Sequence, residues 1–268
     1  MTDFDASPGG SLYREEFERD SCGFGLIANL DDHASHWLVE TAITALSRLT
    51  HRGAVAEDGK TGDGCGLLLK KPVGFLRAVA QESGLELADR FAAGIVFLSR
   101  FDEQADRARM ALEQQVERAG LQVAGWRVMP TNPEACGEEA LRSLPRMEML
   151  FVNCLEEIDE AAFNRLLFLA RRRAEKSLEG KDPVFYVPSL SASTIVYKGM
   201  VMPAHLAEFF PDLADPRLET SVAVFHQRFS TNTLPQWRLA HPFRYLAHNG
   251  EINTIQGNRS WAVARGPL

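Results

Sequence analysis

The stretch from Ala93 to Met129 constrains the fold most. Ala93–Leu98 (AGIVFL) is a short continuous apolar run, Glu103–Ala119 carries apolar residues at helical spacing and stops at Gly120, and Leu121–Met129 reads as a strand again. A strand–helix–strand unit excludes an all-helical bundle and an all-β sandwich and predicts a mixed α/β domain.

The remainder extends the pattern. Residues 24–30 predict a buried strand bounded by Asp31-Asp32, and His36–Leu49 predicts a helix with Ser35 as its N-cap. Leu67–Leu69 is a short apolar strand, and Pro72 opens a helix to about Glu82. Met147–Cys154 predicts a strand and Asp159–Leu178 a long helix closed by Gly180. Val184–Leu190 and Thr194–Lys198 read as a hairpin turning at Ser191–Ser193. Val222–Arg228 and Phe243–His248 predict strands, and Asn253–Ala264 a helix. No low-complexity linker interrupts the chain, so one domain is expected after a short leader.

That leader, residues 1–21, is polar, contains a Pro-Gly-Gly turn and six acidic residues, and has no apolar run. It is neither a signal peptide nor a transmembrane segment. A net charge of −7 gives no general affinity for nucleic acid or for an anionic membrane. Cys22, Cys65, Cys136 and Cys154 form no C-x-x-C pair and lack histidines at zinc-finger spacing. Reduced thiols in a cytoplasmic protein are therefore expected, with no metal site.

Three segments attract chemical attention. Gly59-Lys60-Thr61 resembles the end of a phosphate-binding loop, but five residues separate Gly53 from Gly59, and more glycine follows where a helix is required. A flexible loop, with Gly59, Gly62, Gly64 and Gly66 permitting positive φ and close approach, is the expectation. Arg171-Arg172-Arg173 point three ways along a helix, and Arg171 pairs with Glu175 at i,i+4, as on a solvated face. Cys22 stands between the leader and the first strand. It reads either as a small buried filler or, if the leader is cut after Ser21, as a terminal residue carrying both a nucleophilic thiol and a basic amine.

The densest polar stretch decides between these readings of Cys22. It runs His226-Gln227-Arg228-Phe229-Ser230-Thr231-Asn232, Ala240-His241-Pro242, His248-Asn249-Gly250-Glu251-Ile252. Asn249-Gly250 alone reads equally as a turn or as an oxyanion site made of a side-chain amide beside a backbone N–H. An arginine can bind a substrate carboxylate bidentately.

With Cys22-Gly23-Phe24-Gly25 and the Arg52-Gly53 to Thr61-Gly62-Asp63-Gly64 segment, these motifs resemble, in order, the class II glutamine amidotransferases of the N-terminal-nucleophile hydrolases. The wording Thr50-His51-Arg52-Gly53-Ala54, Phe229–Asn232, Pro235-x-Trp237 and Asn253-Thr254-x-x-Gly257-Asn258-Arg259 is most similar to the amidotransferase domain of glutamate synthase large subunits. Asparagine and amino-sugar synthases resemble it less, since their cysteine usually follows the initiator Met directly.

The resemblance implies a four-layer α/β/β/α sandwich with two mainly antiparallel sheets, reached from about Cys22 to Arg265 and cut short at the C-terminus. It implies removal of residues 1–21, with residues 22–268 forming the amidotransferase domain. Cys22 would attack the side-chain amide of L-glutamine, and Asn249 and Gly250 would hold the oxyanion. Arg228 would take the α-carboxylate and Thr231 would line the pocket. His241, Arg52 and Gly53 would shape the site. The family aspartate that binds the α-amino group has no counterpart, since no aspartate follows Asp215. No cofactor is implied for this chain. FMN, an iron–sulfur cluster, and a reductase subunit or other electron donor are implied for a full-length parent that makes glutamate from 2-oxoglutarate. The competing implication is a catalytically incompetent fragment or a glutamine-binding regulatory module.

Overall fold

A computed structural model describes residues 23–228, 233–243 and 256–266. In chain order the elements are β1 (Phe24–Ala28), α1 (His36–Arg48), β2 (Thr61–Lys70), α2 (Val73–Glu82), β3 (Phe91–Leu98), α3 (Asp102–Arg118) and β4 (Gln122–Val128). There follow α4 (Glu138–Arg142), β5 (Arg146–Asn153), α5 (Glu160–Leu178), β6 (Thr194–Val201), α6 (Leu206–Phe209), β7 (Val222–Gln227) and α7 (Gln256–Arg265). They build a four-stranded sheet, β1-β7-β2-β6, and a three-stranded sheet, β3-β5-β4. The pairings are antiparallel throughout. Mixed α/β with two antiparallel sheets is the class expected.

Each sheet carries helices. One face of the three-stranded sheet presents Ala92, Val96, Leu98, Leu150 and Val152 to Leu112 and Val116 of α3 and to Phe163 and Leu167 of α5, all buried. Fully burying such a side chain stabilises by about 1.5–3 kcal/mol. Both helices stop where expected, with Gly120 and Gly180 at φ 78° and 74° just beyond their ends. The opposite face of that sheet joins α1, α2 and one face of the four-stranded sheet in a second cluster, through Ile95, Phe97, Met149, Leu46, Leu67, Phe75, Tyr197 and Phe225. Ser35 caps α1 through Leu38 N, and Asp159 caps α5 through Ala162 N. Arg171 pairs with Glu175 at 3.0 Å, as anticipated, but the two side chains are 18% and 15% exposed, so this pair does not stand on a solvated face.

Three expectations are corrected. The glycine-rich segment is an irregular loop only as far as Lys60. From Thr61 it is the buried first half of β2. Its glycines serve close packing: a Cβ on Gly62 would lie 2.9 Å from Val201 O, and one on Gly66 would collide with Tyr197 O, both on β6. Gly64, at φ 127°, sits in the register shift between Thr61 and Cys65. The Val184–Leu190/Thr194–Lys198 hairpin does not form. Tyr186 and Ser191 bridge instead to Phe97 and Ala93 of β3, while β6 pairs with β2. Gly94 admits Leu190 against β3 at a distance no side chain would allow, and Asn164 accepts hydrogen bonds from the Ser191 hydroxyl and Ala192 N. Finally, β1 is an edge strand, with Leu26 64% exposed, not a buried one. The Phe243–His248 strand lies, beyond Phe243, outside the described residues, as do the first three residues of the Asn253–Ala264 helix.

Candidate active site

Strand β7 lies between β1 and β2, so its C-terminal end gathers residues from both neighbours. The register pairs Phe24 with His226 on one side and Cys65 with Gln227 on the other. Arg228 follows immediately and is buried. Its backbone N donates to Gly64 O at 2.8 Å, its Nη1 to Asp63 O at 3.1 Å, and its Nη2 to Thr233 Oγ1 at 2.7 Å. The irregular stretch of β2 therefore fixes both the backbone and the fork of this arginine. Burial lowers the guanidinium's proton affinity, and the Asp63 carboxylate opposes that shift; an arginine remains charged regardless.

Two further predicted residues converge here. Gln227 N donates to Gly23 O at 2.6 Å. Gly23 directly follows Cys22 in the chain. On the other side, a Cβ on Gly53 would run into the Gln227 side chain, so glycine lets the chain after Arg52 lie against β7 without displacing that amide. Arg52 ends the single helical turn Thr50–Arg52 that closes α1. Ala54 then anchors the loop to β2, exchanging hydrogen bonds with Asp63: Ala54 N to Asp63 Oδ1 and Asp63 N to Ala54 O, each 3.3 Å. Arg228, the Arg52-Gly53 turn and the residue after Cys22 thus meet at one strand end.

His241 lies on the face of the sheet that carries His226. Their ring centroids are 4.4 Å apart in an edge-on arrangement, and the ring of Phe243 is 4.5 Å from that of His241. A cis peptide joins His241 to Pro242. Cys22, Thr231, Asn249 and Gly250 fall outside the described residues.

Sequence reasoning passed over three participants. Asp63 stood inside a quoted motif without a role, yet it is buried and organises both Arg228 and the Arg52-Gly53 turn. Gln227 was only a spacer in the motif, although it contacts Gly23 and Gly53. Lys198 falls at the end of the expected hairpin strand, although a lysine in the run Thr194-Ile195-Val196-Tyr197-Lys198-Gly199 is itself a signal.

The other thiols are poor nucleophiles. Burial, and then the Asp63 carboxylate, push the Cys65 thiol far up, and burial raises Cys136 to about 11 against the opposing charge of Lys60. Cys154 is buried and in no disulfide. Among the described residues no three His, Cys, Asp or Glu side chains come together as metal ligands, and no helix is long and apolar enough to cross a membrane.

Comparison with known proteins places these features in context. Residues 22–268 match the family described as "Glutamine amidotransferases class-II". The chain is 43% identical over 257 residues to the glutamate synthase [NADPH] large chain of Azospirillum brasilense, covering 95% of this chain and 17% of that one. The glutamate synthase [NADPH] large chain of Bacillus subtilis is 40% identical over the same coverage. A ferredoxin-dependent glutamate synthase of Arabidopsis thaliana is 40% identical over 92% of this chain and 16% of its own. The chain spans about one sixth of the length of these relatives.

Proposed function

The chain belongs to the class-II glutamine amidotransferases, and from that premise we propose that it is the glutaminase part of a glutamate synthase, releasing ammonia from L-glutamine for glutamate synthesis from 2-oxoglutarate. The observation that carries this reading is the meeting at the end of β7, where a buried arginine directly follows the residue that contacts Gly23. A carboxylate-binding cation beside the anchored neighbour of a cysteine suits a nucleophile acting on an amino-acid amide.

In this proposal residues 1–21 are removed and Cys22 becomes the terminal residue. A thiol titrates near about 8.5 and an α-amine near about 7.7–8.0, close enough for the amine to take the thiol proton directly or through water. The thiolate adds to the amide carbon of glutamine, and the Asn249 side chain and Gly250 N–H hold the resulting oxyanion. The amide nitrogen leaves as ammonia after taking up the proton, and water then cleaves the γ-glutamyl thioester to glutamate, restoring the thiol. Arg228 fixes the α-carboxylate, Thr231 lines the pocket, and the Arg52-Gly53 turn and His241 shape it.

FMN, an iron–sulfur cluster and an electron donor belong, in this reading, to a full-length parent. The described residues do not fit a cluster, because the three buried cysteines stand on separate elements and form no ligand group. The test is glutamine hydrolysis by the unaltered protein and by Cys22→Ala. Thiol-dependent release of glutamate, lost in the variant, supports the reading. A folded protein that binds glutamine without hydrolysing it supports instead a glutamine-binding module.

A further inference from the structure

Lys198 sits in the middle of β6, in a strand buried from Ile195 to Val201, and is itself 1% exposed. A buried ammonium is costly unless hydrogen-bonded. Here its acceptors are all neutral: Nζ donates to Ala240 O at 2.8 Å, Arg238 O at 2.9 Å and the Tyr186 hydroxyl at 3.3 Å. Three acceptors match the three N–H bonds of the charged form. The rings of Phe243 and Tyr186 lie 4.4 and 4.7 Å from the same nitrogen, contacts that also favour a cation.

The register explains why this matters at the site. Lys198 pairs with Gly66, and Gly66 with His226, so the three stand in a row on one face of the sheet. Gly66 leaves the gap in that row, and a Cβ there would come within 2.8 Å of His241 O. Residues 238–243 thus run across the row, held by Lys198 at Arg238, Ala240 and Phe243, with the His241 ring beside His226.

We propose that Lys198 is a positioning residue for glutamine hydrolysis: its ammonium pins residues 238–243 across β2 and β7 so that His241 is held beside His226, and loss of its proton releases them. The catalytic consequence rests on the glutaminase reading, while the pinning does not.

Among the described residues the titratable and charged groups facing the ammonium are Tyr186, from the segment before β6, and Arg228, beyond β7; His226 lies across Gly66 with the His241 ring beside it. The Arg238 side chain is bound to Gln236 Oε1. Burial, and then the charge of Arg228, push Lys198 well below the ordinary lysine value. That direction lowers the pH at which the ammonium, and with it the pinning, is lost.

The test uses the whole protein. Hydrogen exchange in a peptide covering residues 236–243 is measured from pH 7 to 10, corrected for intrinsic rates and referred to β7. Glutaminase kcat/KM is measured over the same range. Selective loss of protection by about tenfold, with a parallel alkaline fall in kcat/KM, is expected. Lys198→Met should exchange fast at every pH and show no such fall, and Lys198→Arg should restore protection at high pH. Protection that stays flat with pH in the unaltered protein overturns the proposal even if neither variant folds. So does a folded Lys198→Met that protects the segment normally, or that keeps the parental pH profile. Absence of glutaminase from the unaltered protein overturns the functional reading alone, since the exchange measurement still decides the pinning.

Discussion

The end of the four-stranded sheet and the helix-covered face of the three-stranded sheet obey different rules. Around α3, α5, β3 and β5 the contacts are mainly apolar and regular, with a buried ion pair between Arg109 of α3 and Glu148 of β5. Ala108, Leu112, Leu167, Ala170, Leu150 and Val152 pack with no exposure at all, and capping and glycine stops mark the helix ends. At the end of β7, by contrast, Asp63, His226, Gln227, Arg228 and Lys198 are all buried. Gly53 and Gly66 leave room that larger residues would close. The first region spends its sequence on stability. The second accepts buried polarity and broken strand register, and such departures from local regularity mark functional sites.

The contrast can be broken in order of expected effect. Cys22→Ala should lower glutamine hydrolysis by roughly 10⁴-fold or more while leaving the melting temperature within a degree or two of the unaltered protein (about 0.5 kcal/mol). Steady-state kinetics and a melting curve on one preparation check both halves. A variant that still turns over removes Cys22 from the chemistry.

Arg228→Lys keeps a charge but loses the planar fork held by Asp63 O and Thr233 Oγ1. A cost of about 2–5 kcal/mol should be read chiefly in KM for glutamine, with a change confined to kcat speaking against carboxylate binding. Leu167→Ala should do the reverse. It should destabilise by about 2–5 kcal/mol in a denaturant titration and leave kcat/KM unchanged below the melting transition.

The smallest effect lies at the junction of the regions. Lys71, just past β2, donates to Phe91 O at 2.8 Å at the start of β3 and faces the Phe91 ring. Burial lowers it to about 8, with Glu160 opposing and Arg77 assisting that shift. Between about 8 and its unfolded value near 10.4, the unfolded state binds more protons than the folded state. Stability contributed by this group therefore rises with pH across that window. The denaturation midpoint of the unaltered protein, compared with that of Lys71→Met, should move upward from pH 8 to 10. A constant or falling difference contradicts the sign.

The two regions also differed in what their sequence revealed. Periodicity located the helices from Asp102 and Glu160 to within a residue or two, because a half-buried helix writes its packing face into its spacing. The hairpin reading of Val184–Leu190 failed because adjacency along the chain said nothing of Gly94, which draws that segment onto β3. The glycines of β2 were legible as close-approach residues, yet their strand was missed because its partner, β6, lies more than a hundred residues away. At the site, Arg228, His241 and the Arg52-Gly53 turn stood out through motif order. Asp63, Gln227 and Lys198 did not, since each acts through contacts between strands remote in sequence.

The most direct measurement is intact mass followed by peptide mapping, after incubation with a diazoketone analogue of glutamine that alkylates the nucleophile. The account predicts a mass lacking residues 1–21 and one adduct, on Cys22, with Cys65, Cys136 and Cys154 unmodified in the folded protein. A full-length, unlabelled mass, or an adduct on any other cysteine, would contradict it.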